Sequence, residues 1–180
     1  MTFQFEPVDV VGLVCRVVDD SKALAVHSQI TLLFSSDADQ AWVKGDADRL
    51  MQAVSNLLAN AIRFSPSDKP VEVAVIDDGA VIRVEVTDHG PGIPAEFRDQ
   101  VFKKFAQAGG GRTSQNAGTG LGLSIAKLIV QHHGGSIDFR SVPGEHTTFC
   151  IDLPGLEADS IDRKPEADHA STDQRRVARS

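Results

Sequence analysis

Apolar residues recur at helical spacing in four parts of the chain. Such a period places them on one face of an amphipathic helix. The predicted helices cover residues 8–27, 46–65 and 121–132, with a shorter one over 97–105. Asp46 or Asp48 can cap the second helix through its carboxylate. Ser65-Pro66 ends that helix, because a residue before proline avoids helical geometry.

Short apolar runs bounded by turn residues predict strands between these helices. The predicted strands cover residues 30–34, 41–43, 71–75, 82–86, 137–139 and 149–153. Asp78-Gly79 and Pro143-Gly144 predict tight turns that join neighbouring strands into hairpins. Residues 106–118 are rich in glycine and have no apolar period, so we expect a mobile loop there.

The order of these elements predicts an α/β (α+β) fold of the two-layer sandwich type. Its sheet should be mixed and mostly antiparallel, with about three helices covering one face. We expect one domain over residues 1–155. Residues 156–180 are polar and charged with few large apolar side chains, which predicts a disordered tail.

Composition narrows the possible partners. The 180 residues are 41% hydrophobic, enough for one core, and carry a net charge of −7 without a strongly basic stretch. This balance argues against nucleic-acid binding, and an anionic ligand must be held by local groups. No apolar run reaches the ~18 residues of a membrane span. Cys15 and Cys150 lack the spacing of a metal site or disulfide framework, which favours reduced, intracellular thiols. Taken together, these features lead us to expect a cytoplasmic fragment without direct membrane contact.

The polar face of the helix over 46–65 carries unusual residues. Arg49, Asn56, Asn60 and Arg63 follow one another at helical steps, opposite the apolar stripe. A solvated face is one interpretation, but such a face more usually carries Glu and Lys, and Asn is a poor helix former. The alternative is a ligand site, because a side-chain amide oxygen suits Mg²⁺ and phosphates can complete its coordination.

The predicted strand 82–86 runs into Asp88-x-Gly90-x-Gly92-Ile93. An ionised Asp only accepts hydrogen bonds, so Asp88 can accept from an exocyclic amine such as that of adenine. Glycines let the backbone pass close to a flat ring. An ordinary Gly-Pro turn explains the same residues.

A second glycine run, residues 118–124, opens the helix over 121–132. Main-chain N–H groups and the positive end of a helix can together hold an anion there. The run is not a P-loop, since no Gly-Lys-[Ser/Thr] follows at the required spacing. Arg112, Lys103 and Lys104 precede it and could neutralise phosphate charge, although each is also explained as a surface charge.

The six histidines give no metal-ligand spacing. His132 and His133 are adjacent, and neighbours on a helix point about 100° apart, so we expect this pair on the surface.

Four motifs stand in a fixed order and resemble the boxes of sensor histidine kinases. Residues 48–65 resemble the N box, 88–94 the first glycine box, 102–105 the F box and 118–123 the second glycine box. The resemblance runs from about residue 5 to residue 153. It implies the catalytic ATP-binding domain of a two-component sensor histidine kinase, with the Bergerat (GHKL-type) fold.

The resemblance also implies roles for residues. ATP would contact Asn56, Asn60, Arg63, Phe64, Asp88, Gly90, Gly92, Ile93, Phe105, Gly118, Thr119, Gly120, Leu121, Gly122, Leu123 and Thr148. Asn60 would bind Mg²⁺ between the phosphates, and Asp88 would accept the adenine amino group. Arg112 and Lys104 would face the terminal phosphate beneath a lid over 105–118, and Thr148 would lie near the adenine.

Two departures from the family pattern concern single residues. Arg63 stands where lysine is common, which keeps the charge and allows a bidentate grip on phosphate. His146 replaces a usual glycine in the last hairpin.

A third departure concerns the phosphate acceptor. The family's acceptor histidine lies in a His-[Glu/Asp]-x-x-x-Pro context, and no histidine here has it. The chain should therefore present ATP to a histidine on a separate dimerisation and phosphoacceptor domain, in the parent chain or in trans. A response regulator would be an indirect partner, and the parent protein could be anchored in the inner membrane.

Three alternatives share the fold. Gyrase, mismatch-repair and heat-shock chaperone ATPases carry a glutamate base one turn before the metal-binding asparagine, where this chain has Asn56. A serine kinase of the anti-sigma type is disfavoured by the F box and second glycine box. A pseudokinase interaction module is disfavoured by Asn60 and Asp88.

Overall fold

The computed structural model describes residues 2–106 and 119–156. In chain order the elements are β1 (Glu6–Asp9), α1 (Val10–His27), β2 (Leu32–Ser36), β3 (Trp42–Gly45), α2 (Ala47–Phe64), β4 (Val71–Asp77), β5 (Val81–Asp88), a 3₁₀ helix (Ala95–Gln100), α3 (Gly122–His132), β6 (Ser136–Val142) and β7 (His146–Pro154). Arg112, Gly118 and most of the predicted loop and tail lie outside the described residues. The division into a domain over 1–155 and a disordered tail stays a prediction.

Five strands form the main sheet in the order β2-β4-β5-β7-β6. β2 pairs with β4 in parallel, whereas the β4–β5, β5–β7 and β6–β7 pairs are antiparallel. The helices cover one face of this sheet, so the predicted α+β sandwich with a mixed, mostly antiparallel sheet is confirmed.

The helix layer and the sheet share one apolar core. Alternate residues of β5 and β7, including Val84, Val86 and Ile151, point into it, as the two-residue period of a strand requires. From the helix side Leu57 and Leu58 of α2 are fully buried. α2 packs against both α1 and α3, so its polar face lies next to the start of α3.

The start of the chain differs from the prediction. Residues 6–9 form β1, which pairs with β3 in a separate two-stranded sheet, and α1 begins at Val10. Asp9 caps α1, because its carboxylate accepts from the N–H groups of Val11 and Gly12. The apolar Val8 belongs to β1. The predicted helix began two residues too early because Val8 also fits the helical spacing of the residues that follow.

Two further expectations concern short elements. The helix predicted over 97–105 is a 3₁₀ helix over Ala95–Gln100 followed by turns, so that prediction was wrong in type and bounds. The two hairpin turns are confirmed, with φ of +86° at Gly79 and +80° at Gly144.

A bilayer-spanning helix is absent from the described ranges, where no helix is both long and apolar enough to cross a membrane.

Candidate functional site

The polar face of α2 meets the first turn of α3. Asn56 Nδ2 donates to the main-chain oxygen of Gly122 over 3.1 Å, which ties the two helices together. One turn later, Asn60 Oδ1 accepts from Arg63 Nη2 over 2.7 Å. The Arg63 guanidinium also lies 4.7 Å from the ring centroid of Phe64. The structure therefore brings these predicted residues together at one end of the helix pair.

Among the described residues, none caps the first turn of α3 with its side chain. Leu121 is the capping residue and makes no side-chain hydrogen bond to the turn, while Ser124 Oγ donates to the Leu121 oxygen. The first main-chain bond of the helix runs from Ile125 N to that same oxygen. Within the part of the chain that the structure describes, the N–H groups of residues 122–124 have no partner inside the helix, and Gly122 lies beside Asn56. This is the geometry of an anion site.

The glycines of this run have different steric demands. Gly120 has a φ of +69°, and a Cβ there would lie 2.8 Å from the main chain of Phe105. Phe105 N also donates to the Gly120 oxygen over 2.8 Å. A Cβ on Gly122 would instead meet the Asn56 side chain at 3.6 Å, an ordinary contact. Only the first of these two positions needs glycine for steric reasons.

Other residues predicted near the phosphates are open to solvent. Phe105 is 71% exposed, and Lys104 and Thr119 are exposed as well. Phe105 has a φ of +62°, which is uncommon for a residue with a side chain. Phe102 of the same motif is instead partly buried against the core, with its ring centroid 5.9 Å from that of Phe139.

Asp88 ends β5 on the side of the helix layer and is 3% exposed. Its Oδ1 accepts from the N–H of Gly90 over 2.9 Å. Burial raises the pKa of the Asp88 carboxyl, while the Gly90 N–H and the nearby His89 and His146 partly oppose this rise. A buried carboxylate at a strand end is a suitable acceptor for an amino group.

The loop after Asp88 is held against α2 and against the β6–β7 hairpin. A Cβ on Gly90 would lie 2.5 Å from the main-chain oxygen of Phe64, so only glycine allows this approach. Gly92 has a φ of +77° and lies against Pro143 in the same way. Ile93 N donates to Ser141 Oγ over 2.8 Å. The loop is thus fixed from both sides.

The threonine beside this carboxylate is Thr147. In the β5–β7 register Asp88 is opposite Thr147, whereas Thr87 is opposite Thr148. Thr148 Oγ1 lies 2.8 Å from Thr87 Oγ1, on the face of the sheet away from the helices. The assignment of Thr148 near the adenine was therefore wrong, because side chains alternate along a strand and a shift of one residue reverses the face.

Sequence reasoning also missed His133, which was expected on the surface. It is buried, its Nε2 accepts from Asp46 N over 2.9 Å and its Nδ1 donates to the Ile129 oxygen over 2.7 Å. Asp46 caps α2, and its carboxylate accepts from the N–H groups of Gln4 and Arg49, which lower its pKa. These bonds tie the start of α2 to the end of α3. Gly134-Gly135 marked the end of this helix in the sequence, but no local pattern showed that the helix end is buried.

Residues 45–157 match the family model described as histidine kinase-, DNA gyrase B-, and HSP90-like ATPase. The chain belongs to this family. The sensor-like histidine kinase SenX3 of Mycolicibacterium smegmatis is 37% identical over 150 residues, which are 83% of this chain and 38% of SenX3. The chain spans about two fifths of the length of the SenX3 relatives it matches.

Solved structures agree with this assignment. The nucleotide-free catalytic domain of the histidine kinase ThkA superposes with a TM-score of 0.72 at 28% identity, covering 84% of this chain and 97% of that catalytic domain. Full-length ShkA in complex with AMPPNP gives a TM-score of 0.72 at 25% identity, covering 88% of this chain and 32% of ShkA. Within the ATPase family, the chain is an ATP-binding catalytic domain of the sensor histidine kinase type.

Proposed function

We propose that this chain holds ATP with Mg²⁺ and presents the terminal phosphate to a histidine on a separate dimerisation and phosphoacceptor domain. The carrying observation is the bond from Asn56 to Gly122, which sets the polar face of α2 beside the uncapped start of α3. Asp88 ends β5, and the loop after it lies against the end of α2, so one site has an end for phosphate and an end for the base. ShkA, a structural relative, has been solved in complex with AMPPNP.

At the phosphate end, the N–H groups of residues 122–124 would hold phosphate oxygens. Asn60 Oδ1 fits a hard cation because an amide oxygen is a ligand type that such cations take; in the structure it accepts from the Arg63 guanidinium. Mg²⁺, when bound, would neutralise phosphate charge. Arg63 would then exchange Asn60 for a phosphate oxygen, while Lys104 and Arg112 would face the terminal phosphate.

At the base end, the Asp88 carboxylate would accept from the adenine amino group. Gly90, Gly92 and Ile93 would form the wall that lies along the base, and Thr147 would lie beside Asp88. Burial makes this recognition selective, because a base without a matching donor would leave a buried carboxylate unpaired.

Transfer to an acceptor is favoured over hydrolysis. The position one turn before Asn60 is Asn56, whose side-chain N–H is already bonded to Gly122. An amide cannot serve as the general base that activates water. A response regulator would receive the phosphate from the acceptor domain. We place the chain in the cytoplasm, with a membrane anchor for the parent protein as a further part of the proposal.

Titration with a fluorescent ATP analogue, with and without Mg²⁺, tests the site. Asn60→Ala should remove the part of the affinity that depends on Mg²⁺. Asp88→Asn should weaken binding by about tenfold to a hundredfold, since a bond to a buried charge is lost. Arg83→Ala, on the opposite face of the sheet, serves as the control and should bind normally. Unchanged affinity in both site variants would refute the site.

Phosphorylation is tested separately. Incubated alone with labelled ATP, the chain should gain no acid-labile phosphate. Label should appear only when a domain carrying the acceptor histidine is supplied. Acid-labile label on the chain alone would contradict the missing acceptor.

A further inference from the structure

Ser141 lies on β6 beside the base end of the proposed site and is 8% exposed. Its hydroxyl oxygen has three polar neighbours. Ile93 N donates to it over 2.8 Å, Thr147 Oγ1 lies 2.9 Å away, and the main-chain oxygen of His146 lies 3.3 Å away. Ser141 therefore contacts both the loop that follows Asp88 and the threonine opposite Asp88.

The number of hydroxyl protons decides which group donates and which accepts around Ser141. A hydroxyl has one proton, and the bond from Ile93 N uses Ser141 as acceptor. The Ser141 proton can go to Thr147 or to the His146 oxygen. The 2.9 Å separation lies within the usual range for bonds between hydroxyl and oxygen, whereas 3.3 Å lies beyond it. When the proton goes to Thr147, the proton of Thr147 is left to point elsewhere.

We propose that Ser141 is a positioning residue that turns the Thr147 hydroxyl into a donor toward the base, an inference that rests on the proposed function. Asp88 accepts hydrogen bonds and Thr147, oriented this way, donates one. Together they match the adjacent amino group and ring acceptor of adenine. Hypoxanthine presents the opposite order, an oxygen and a ring N–H. Ser141 thereby sets selectivity for adenine without touching it.

The Ser141 main chain is anchored independently of its hydroxyl. Arg98 Nη2 donates to the Ser141 main-chain oxygen over 2.7 Å. Gly144 N donates to the Pro91 oxygen over 2.8 Å, which holds the hairpin to the loop. Removal of the hydroxyl should therefore leave the hairpin in place, so that a change in base selectivity can be separated from misfolding.

The test compares the dissociation constants of ATP and ITP, in Mg²⁺, by titration calorimetry on the full chain. Ser141→Ala should weaken ATP binding by up to about tenfold and change ITP binding by less than about twofold. Thr147→Val should have the same effect. The double variant should be no worse than Thr147→Val alone, because both changes remove one chain of hydrogen bonds. Ser141→Thr, which keeps a hydroxyl, should restore the preference for ATP.

Thr148→Val is the matched control, since it removes a threonine hydroxyl bond on the opposite face of the same strand; it should keep the wild-type preference. Two results would overturn the proposal while leaving the proposed function intact. One is a ratio of the ATP and ITP dissociation constants that is unchanged in Ser141→Ala. The other is a loss of ATP affinity in the double variant that equals the sum of the two single losses. If Ser141→Ala loses cooperative unfolding, Ser141→Cys replaces it under the same criterion. Failure of the wild-type chain to bind ATP would refute the proposed function itself.

Discussion

His133→Ala should destabilise the domain far more than the same change at its neighbour His132. His133 is buried and joins two helices, through the bond from Asp46 N to Nε2 and the bond from Nδ1 to the Ile129 oxygen. His132 is exposed and stacks on the ring of Phe3, with centroids 4.8 Å apart. The two residues are adjacent and identical, so the comparison isolates their surroundings.

The cost at His133 has three parts. Two hydrogen bonds are lost, at about 1 kcal/mol each. The N–H of Asp46 is left buried without a partner, which costs about 1–3 kcal/mol. The cavity left by the ring adds to these terms. The first two parts come to about 3–5 kcal/mol, which alone should lower Tm by roughly 10 °C or more for a chain of this size, and the cavity increases this loss. His132→Ala should cost less than about 1 kcal/mol.

Urea unfolding and scanning calorimetry of both variants measure the difference. His133→Phe is an informative third variant, because it fills the space but makes neither hydrogen bond; it should recover only the cavity part of the loss. Equal stabilities of the His132 and His133 variants, or full recovery by phenylalanine, would refute the role assigned to the two bonds.

Three further predictions concern glycines and buried carboxyls. Gly120→Ala should destabilise the chain measurably in thermal unfolding, whereas Gly122→Ala, which has room and ordinary dihedrals, should leave stability equal or raise it by up to about 1 kcal/mol. Asp88→Asn should raise the Tm of the nucleotide-free chain at neutral pH; because burial raises the pKa of Asp88, wild-type stability falls as pH rises through that pKa, and the variant should lack this decline. Asp46→Ala should lower stability at neutral pH by about 1–2 kcal/mol through loss of the helix cap. Since the pKa of Asp46 is lowered, its contribution in the wild-type chain is present above the usual carboxyl range and should be lost as pH falls through the folded-state pKa in an acid titration of unfolding.

Much of the fold followed from local pattern. The apolar stripe of α2 is visible within the sequence of that one helix and is confirmed; of the two caps that the sequence offered, Asp46 or Asp48, the structure shows Asp46. The β4–β5 hairpin was equally local, since Asp78-Gly79 separates two alternating runs. The approach of Asn56 to the second glycine run followed from the order of motifs, because no local pattern links residues 66 positions apart.

The failures share a physical cause. β1 is four residues long and gains its partner, β3, only after α1, so nothing in its own sequence separates it from the helix that follows. The choice between Thr147 and Thr148 depends on strand parity, which two adjacent threonines cannot reveal. The burial of His133 depends on the contact between the end of α3 and the start of α2, which no local pattern in the sequence shows. In each case tertiary pairing decided what local propensity left open.

The two buried carboxyls show how stability and function separate in this site. Asp46 accepts two main-chain N–H bonds, and its charge supports the fold. Asp88 accepts one recorded N–H bond, from Gly90, which an asparagine oxygen could equally accept. Burial of its charge therefore lowers the stability of the nucleotide-free domain, because the contacts of the fold do not fully offset the loss of hydration. The Asp88 charge lies at a strand end beside the oriented Thr147 hydroxyl, where a ligand with a matching amino group can pair with it. The charge therefore favours ligand binding and disfavours the nucleotide-free fold. Asp88→Asn measures both effects, as a loss of affinity and a gain in stability.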